Sequence, residues 1–166
     1  MKDGWRCWPR RVGLALLILA AAAQLVRPAR TNPPETPGQT LEERAGAPPE
    51  VAALLARACA DCHSYRTAWP WYTSVTPVSW WIVNHVEQAR RHLNLSAWPD
   101  EADPKGRERA IRKLEEMCEE TDSGAMPLRS YLLLHSEARV SERDVRVLCA
   151  WTERKIADLT TPRPPA

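Results

Sequence analysis

Cys59-Ala60-Asp61-Cys62-His63 sets two thiols three residues apart and an imidazole directly after the second. On one helical turn such thiols share a face. They can reach the two vinyl groups of one porphyrin, while the adjacent imidazole gives a nitrogen to its iron. C-x-x-C-H is the attachment signature of c-type haem. With five Cys and four His in 166 residues, random placement yields about 0.004 such matches, so coincidence is a poor account. Two other chemistries use a close cysteine pair. A thioredoxin-like couple wants a βαβ setting, which the helical periodicity of this chain does not offer. Zinc wants four ligands, usually with a second close pair, and Cys118 and Cys149 are widely separated. The expectation is one covalent haem c with its iron, attached at Cys59 and Cys62, and His63 as proximal ligand.

The sixth iron position decides much of what such a centre does. Met126 stands in Ser123-Gly124-Ala125-Met126-Pro127, a turn defined by a glycine before and a proline after. It is the first candidate, against the reading of a gap-filling core methionine. His85 is the alternative sixth ligand, because a helical projection puts it inside an apolar stripe; a core hydrogen bond is its ordinary explanation. His92 and His135 read as exposed or capping, and Met117 falls off the apolar stripe of its helix.

Helices must position these groups. Pro48 and Pro49 suit a helix start, with Val51, Leu54, Leu55 and Ala58 at helical spacing up to Cys59. A second helix is expected over 78–93, with a stripe of Val78, Ile82, Val86, Ala89 and Leu93. Asp103-Pro104 supplies an N-cap and first-turn proline for a third, with Ile111, Leu114 and Cys118 on one face. Ser141 and Asp144 form a capping box for a fourth, followed by Val145, Leu148, Cys149, Thr152, Ile156 and Leu159. No alternating β-branched segment competes, so the fold class is all-α. Cys118 and Cys149 fall on the expected buried faces. Either they form a disulfide, as an oxidising compartment favours, or they remain two buried thiols.

Several further segments resemble a known family. After the haem motif come Trp69-Pro70-Trp71-Tyr72, Pro77-Val78-Ser79-Trp80, Leu93-Asn94-Leu95-Ser96-Ala97-Trp98 and Met126-Pro127-Leu128-Arg129-Ser130-Tyr131, in that order. The pattern resembles the bacterial haem-binding domain family, related to cytochromes c, from about residue 50 to 157. The resemblance implies a cytochrome c-like helical domain wrapped around one covalent haem, and it favours Met126 as the distal ligand. It names no physiological partner. The clustered tryptophans read as core and haem-pocket wall, replacing the absent Phe.

The margins give an address. Arg6, Arg10 and Arg11 precede an uncharged run over 12–26, shorter than the ~20 residues that span a bilayer comfortably. Basic start, short apolar stretch and Ala21-Ala22-Ala23 have the layout of a signal peptide; an uncleaved membrane anchor is the other reading. Both send the body across the membrane. The expected organisation is a signal or anchor helix at 1–26, a Pro-rich linker at 27–47, the haem domain at 48–160 and a Pro-rich tail at 161–166.

Charge excludes one class. Residues 1–11 hold four basic groups and one acidic, leaving 19 basic and 20 acidic groups for the rest. No basic stripe remains to neutralise phosphates, so no nucleic-acid partner is expected. The acidic groups between Glu115 and Asp122 read as solvated helix surface. No catalytic carboxylate pair, nucleophile–base set or phosphate loop is present. The expected function is single-electron transfer by a c-type cytochrome-like protein in the periplasm or on the outer face of the inner membrane, serving redox partner proteins. The alternative is a haem-based ligand sensor or peroxidase with an open or displaceable sixth position.

Overall fold

The computed structural model describes residues 4–161, with the side chains of 4–7 outside the description. Seven α-helices follow one another among the described residues: α1 Gly4–Ala23, α2 Pro49–Ala58, α3 Ala60–His63, α4 Val78–His92, α5 Pro104–Asp122, α6 Arg129–Leu132 and α7 Glu142–Thr160. No strand occurs among them, in line with the all-α expectation.

Two compact units divide the chain, one comprising Met1–Thr31 with Ala68–Gln88, the other Asn32–Thr67 with Ala89–Ala166. The expected haem domain, 48–160, has residues in both units, Ala68–Gln88 belonging to the first.

In the first unit, the residues after α1 are held by side-chain bonds. The Gln24 amide donates to the Thr76 carbonyl and accepts from the Thr76 N–H, both at 3.0 Å. Arg30 donates to Thr73 Oγ1 and Ser74 Oγ, and the Trp80 indole donates to the Val26 carbonyl at 2.7 Å. No helix among the described residues is long and apolar enough to cross a membrane. Trp71, Trp80 and Trp81 are exposed, so the expectation that they are core does not hold for them. Trp80 and Trp81 lie in the first turn of α4, whose buried residues are Ser79, Val83 and Val86, and Trp71 lies in the preceding 3-10 turn Trp71–Ser74. The expected stripe is therefore out of phase: Val78 is exposed and His85 is flanked by, rather than part of, the buried row.

The second unit contains the hydrophobic core. Val51, Leu54, Leu55 and Ala58 from α2 meet Ala110, Leu114 and Met117 from α5 and Leu148 and Trp151 from α7. Leu95 and Trp98 complete it, so two of the tryptophans do fill the core. Helix starts follow their caps: Asp103 accepts from the Gly106 N–H, and Ser141 and Asp144 form a reciprocal capping box. A β-carbon at position 106 would collide with the Asp100 carbonyl, which explains glycine at this close approach. The Cys118 and Cys149 sulfurs are bonded, joining α5 to α7 with Cα atoms 5.0 Å apart.

Two sequence expectations are corrected here. Met117, placed off the apolar stripe, is buried in the core, because the inward face of α5 is 110–114–117 rather than 111–114–118. The segment 27–47, expected as a linker outside the packed domain, contributes Leu41 and Ala45 to the core. Backbone pairing holds it there: the Leu41 N–H donates to the Leu95 carbonyl and the Trp98 N–H to the Gln39 carbonyl, both at 2.8 Å. Arg44 adds a bond to the Trp98 carbonyl at 2.8 Å. Proline richness and core membership are thus compatible, since Leu41 and Ala45 lie between the prolines.

Candidate haem site

Helix α2 ends where the motif begins. Cys59 leaves the helical region (φ −123°, ψ −34°), and its N–H still donates to the Leu55 carbonyl. The chain then makes one further turn, in which the Cys62 and His63 N–H groups donate to the Cys59 carbonyl at 3.2 and 2.9 Å. Cys59 and Cys62 consequently occupy neighbouring positions on one turn.

The residues around this turn are fixed from several directions. Ser64, fully buried, donates to the Ala60 carbonyl at 2.7 Å and accepts the Arg66 N–H. Thr67 Oγ1 donates to the Asp61 carbonyl at 2.7 Å. Arg90 then ties the following loop, donating to the Ser64 carbonyl and to Thr67 Oγ1, each at 2.8 Å. The His63 carbonyl accepts the Leu95 N–H at 2.7 Å, and Ser96 Oγ accepts the Tyr65 N–H at 2.9 Å.

The His63 ring is held by the backbone of the following helix end. Its Nδ1 lies 3.0 Å from the Leu93 carbonyl oxygen. A carbonyl only accepts, so Nδ1 carries the proton and Nε2 keeps its lone pair. This is the arrangement in which a metal-ligating imidazole is usually held. Burial holds the His63 pKa below the usual value, favouring the neutral ring that can ligate.

Burial likewise pushes the Cys59 thiol up to about 12, reinforced by Cys62. It pushes the Cys62 thiol up to about 11, reinforced by the Asp61 carboxylate, with Arg90 opposing. Both cysteines are free thiols in this structure. These are not the lowered values of a reactive disulfide-exchange pair.

Met126 follows Gly124, which adopts φ 70°, a conformation that favours glycine. Its N–H donates to the Glu120 carbonyl at 2.9 Å, and the side chain is half-buried. A few residues later, Tyr131 of α6 donates its hydroxyl to Asp61 Oδ2 at 2.7 Å. The chain that carries Met126 is thereby brought back to the motif, a link that spacing along the sequence does not reveal. The His135 N–H donates to the Tyr131 carbonyl of α6 at 3.2 Å, while its ring stacks on Tyr131 with centroids 4.1 Å apart and approaches Glu137 at 3.3 Å. His85, in the first unit, has Nδ1 2.8 Å from the Trp81 carbonyl and packs against the Trp81 ring at 4.3 Å. His92 is exposed, as expected.

The donor set fits a haem: a buried, neutral imidazole held at Nδ1 and two thiols one turn apart in the same fixed segment. The haem-binding domain family model matches residues 18–154, most of the chain, and the chain belongs to that family. It is therefore a haem-binding protein. The match begins at residue 18, about thirty residues before the motif-bearing stretch that starts near residue 50. No curated protein and no solved structure matches the chain.

Proposed function

We propose that the chain holds one haem c through thioethers at Cys59 and Cys62, with His63 on the iron, and carries single electrons outside the cytoplasm. The observation that supports this most is the Nδ1–H bond of His63 to Leu93, which leaves Nε2 available beside the paired thiols. Two competing uses of the cysteines are disfavoured. Raised thiol pKa values suit neither disulfide exchange nor a thiolate redox sensor. A zinc site drawing on all four cysteines of the second unit is ruled out where Cys118 and Cys149 are bonded to each other.

Bound haem supplies a reversible one-electron change at iron. The chain's part is to hold the proximal imidazole in one tautomer, to fix the attachment turn through Ser64, Thr67 and Arg90, and to offer Met126 as the distal thioether. Such ligation favours ferrous iron and raises the potential. Export is the natural route to haem attachment. The basic residues before the apolar stretch of α1 and the Cys118–Cys149 disulfide both accord with an oxidising, extracytoplasmic setting. Redox proteins are then the partners.

Absorption spectroscopy of the holoprotein tests the ligand set. Low-spin iron in both redox states, with the ferric far-red band of thioether ligation, is the expected result. Met126→Ala abolishes that band and His85→Ala keeps it. The reverse pattern assigns His85, and a high-spin resting iron with rapid CO or peroxide binding assigns a sensor or peroxidase instead.

A further inference from the structure

We propose that Tyr131 is a positioning residue, its hydroxyl bond to Asp61 holding the Met126 loop against the haem-attachment turn; this rests on Met126 as the distal ligand. Asp61 is the residue immediately before Cys62, inside the motif itself, and its carboxylate accepts the Tyr131 hydroxyl at 2.7 Å. A neutral donor meeting a carboxylate makes a stronger bond than a neutral pair. Burial and the Asp61 carboxylate both push the Tyr131 phenol upward, keeping it a donor.

The loop has a fixed point at each end. At its start, the Met126 N–H is bonded to Glu120 in the last turn of α5, which the disulfide joins to α7. At its end, the Tyr131 and Leu132 N–H groups donate to the Leu128 carbonyl at 3.0 and 3.1 Å, so α6 and the residue two places after Met126 move together. The nearly parallel stack of Tyr131 on His135, with 12° between the rings, fixes the direction in which the hydroxyl points. The hydroxyl bond therefore connects the turn bearing His63 with the chain segment bearing Met126. When haem is bound, a Met126 thioether would be a weak, displaceable ligand, and the anchored loop would hold that side chain in place.

The test compares wild-type, Tyr131→Phe and Asp61→Asn holoproteins by two readouts. The first is the affinity and rate with which added imidazole displaces the ferric thioether band. The second is amide hydrogen exchange over 126–132. Tyr131→Phe keeps the ring and the haem but loses the bond. It is expected to strengthen imidazole binding about ten-fold, on the scale of a hydrogen bond to a charged group, and to speed exchange across the loop. Asp61→Asn retains an accepting oxygen and is expected to shift both less. Unchanged exchange in Tyr131→Phe overturns the proposal whatever the distal ligand proves to be. Faster exchange with unaltered imidazole binding also overturns it, since the bond then serves the loop alone. A wild-type protein without the thioether band is a different failure, that of the Met126 assignment. In that case the positioning role toward the iron falls with it.

Discussion

His63 Nδ1 stands 3.0 Å from the carbonyl oxygen of Leu93, thirty residues further along the chain. That contact fixes which nitrogen of the ring is free, and with the His63 carbonyl receiving the Leu95 N–H it grips the residue from both sides. A buried, neutral imidazole has a consequence for the haem-free protein. Its folded-state pKa lies below the unfolded value of about 6.5. The unfolded chain then binds the proton first, so stability falls as pH drops below about 6.5 and continues to fall until the folded pKa is reached. Denaturant unfolding of haem-free protein at pH 7.5 and 5 measures it. His63→Gln is expected to show a smaller loss between those values than wild type.

The thiols act at the other end of the scale. Burial pushes Cys59 and Cys62 up to about 12 and about 11 in the folded chain, against about 8.5 in an unfolded chain. Between these values the native state holds the protons, so stability of the haem-free protein declines as pH rises above about 8.5. Cys59→Ala/Cys62→Ala is expected to flatten that decline. Thioethers do not titrate, so the holoprotein should lack it as well. Unfolding midpoints at pH 8 and 10.5 give the comparison.

Replacing the disulfide by Cys118→Ala/Cys149→Ala opens a loop with a sequence separation of 31 residues. The chain-entropy model puts the loss at about 3–4 kcal/mol. Haem content per folded molecule should stay unchanged, because the bond joins α5 to α7 away from the attachment cysteines in sequence. Denaturant titration and haem absorbance measure the two quantities on the same sample.

Leu41 is 1% exposed within the core, although it belongs to a proline-rich stretch. Leu41→Ala should cost about 2–5 kcal/mol, the usual range for a buried leucine. A loss within 0.5 kcal/mol, as at an exposed linker position, contradicts its place in the packed unit.

What the sequence disclosed follows from where its signals are local. Asp103 and Ser141 announced two helix starts because a cap acts within three residues. The motif at 59–63 is equally local, and the haem chemistry expected of it rests on spacing inside one turn. Periodicity was less exact: a one-residue error of phase put Val78 inward and Met117 outward, since a 3.6-residue repeat shared among short side chains leaves neighbouring faces hard to separate. The Leu93 carbonyl that orients His63 carries no side-chain signature at all. Neither does the pairing of Gln39 and Leu41 with 95–98, so the proline count alone suggested a tether. Tyr131 and Asp61 are seventy residues apart, and only the fold joins them.

Covalent haem at Cys59 and Cys62 is the centre of the account, and intact mass after acid–acetone extraction measures it most directly. Protein exported with a functioning haem-attachment system should retain one haem mass through extraction, with the haemochrome spectrum of a doubly thioether-linked porphyrin, and Cys59→Ala/Cys62→Ala should lose both. A wild-type chain that emerges at its bare polypeptide mass, with the haem in the acetone, contradicts it.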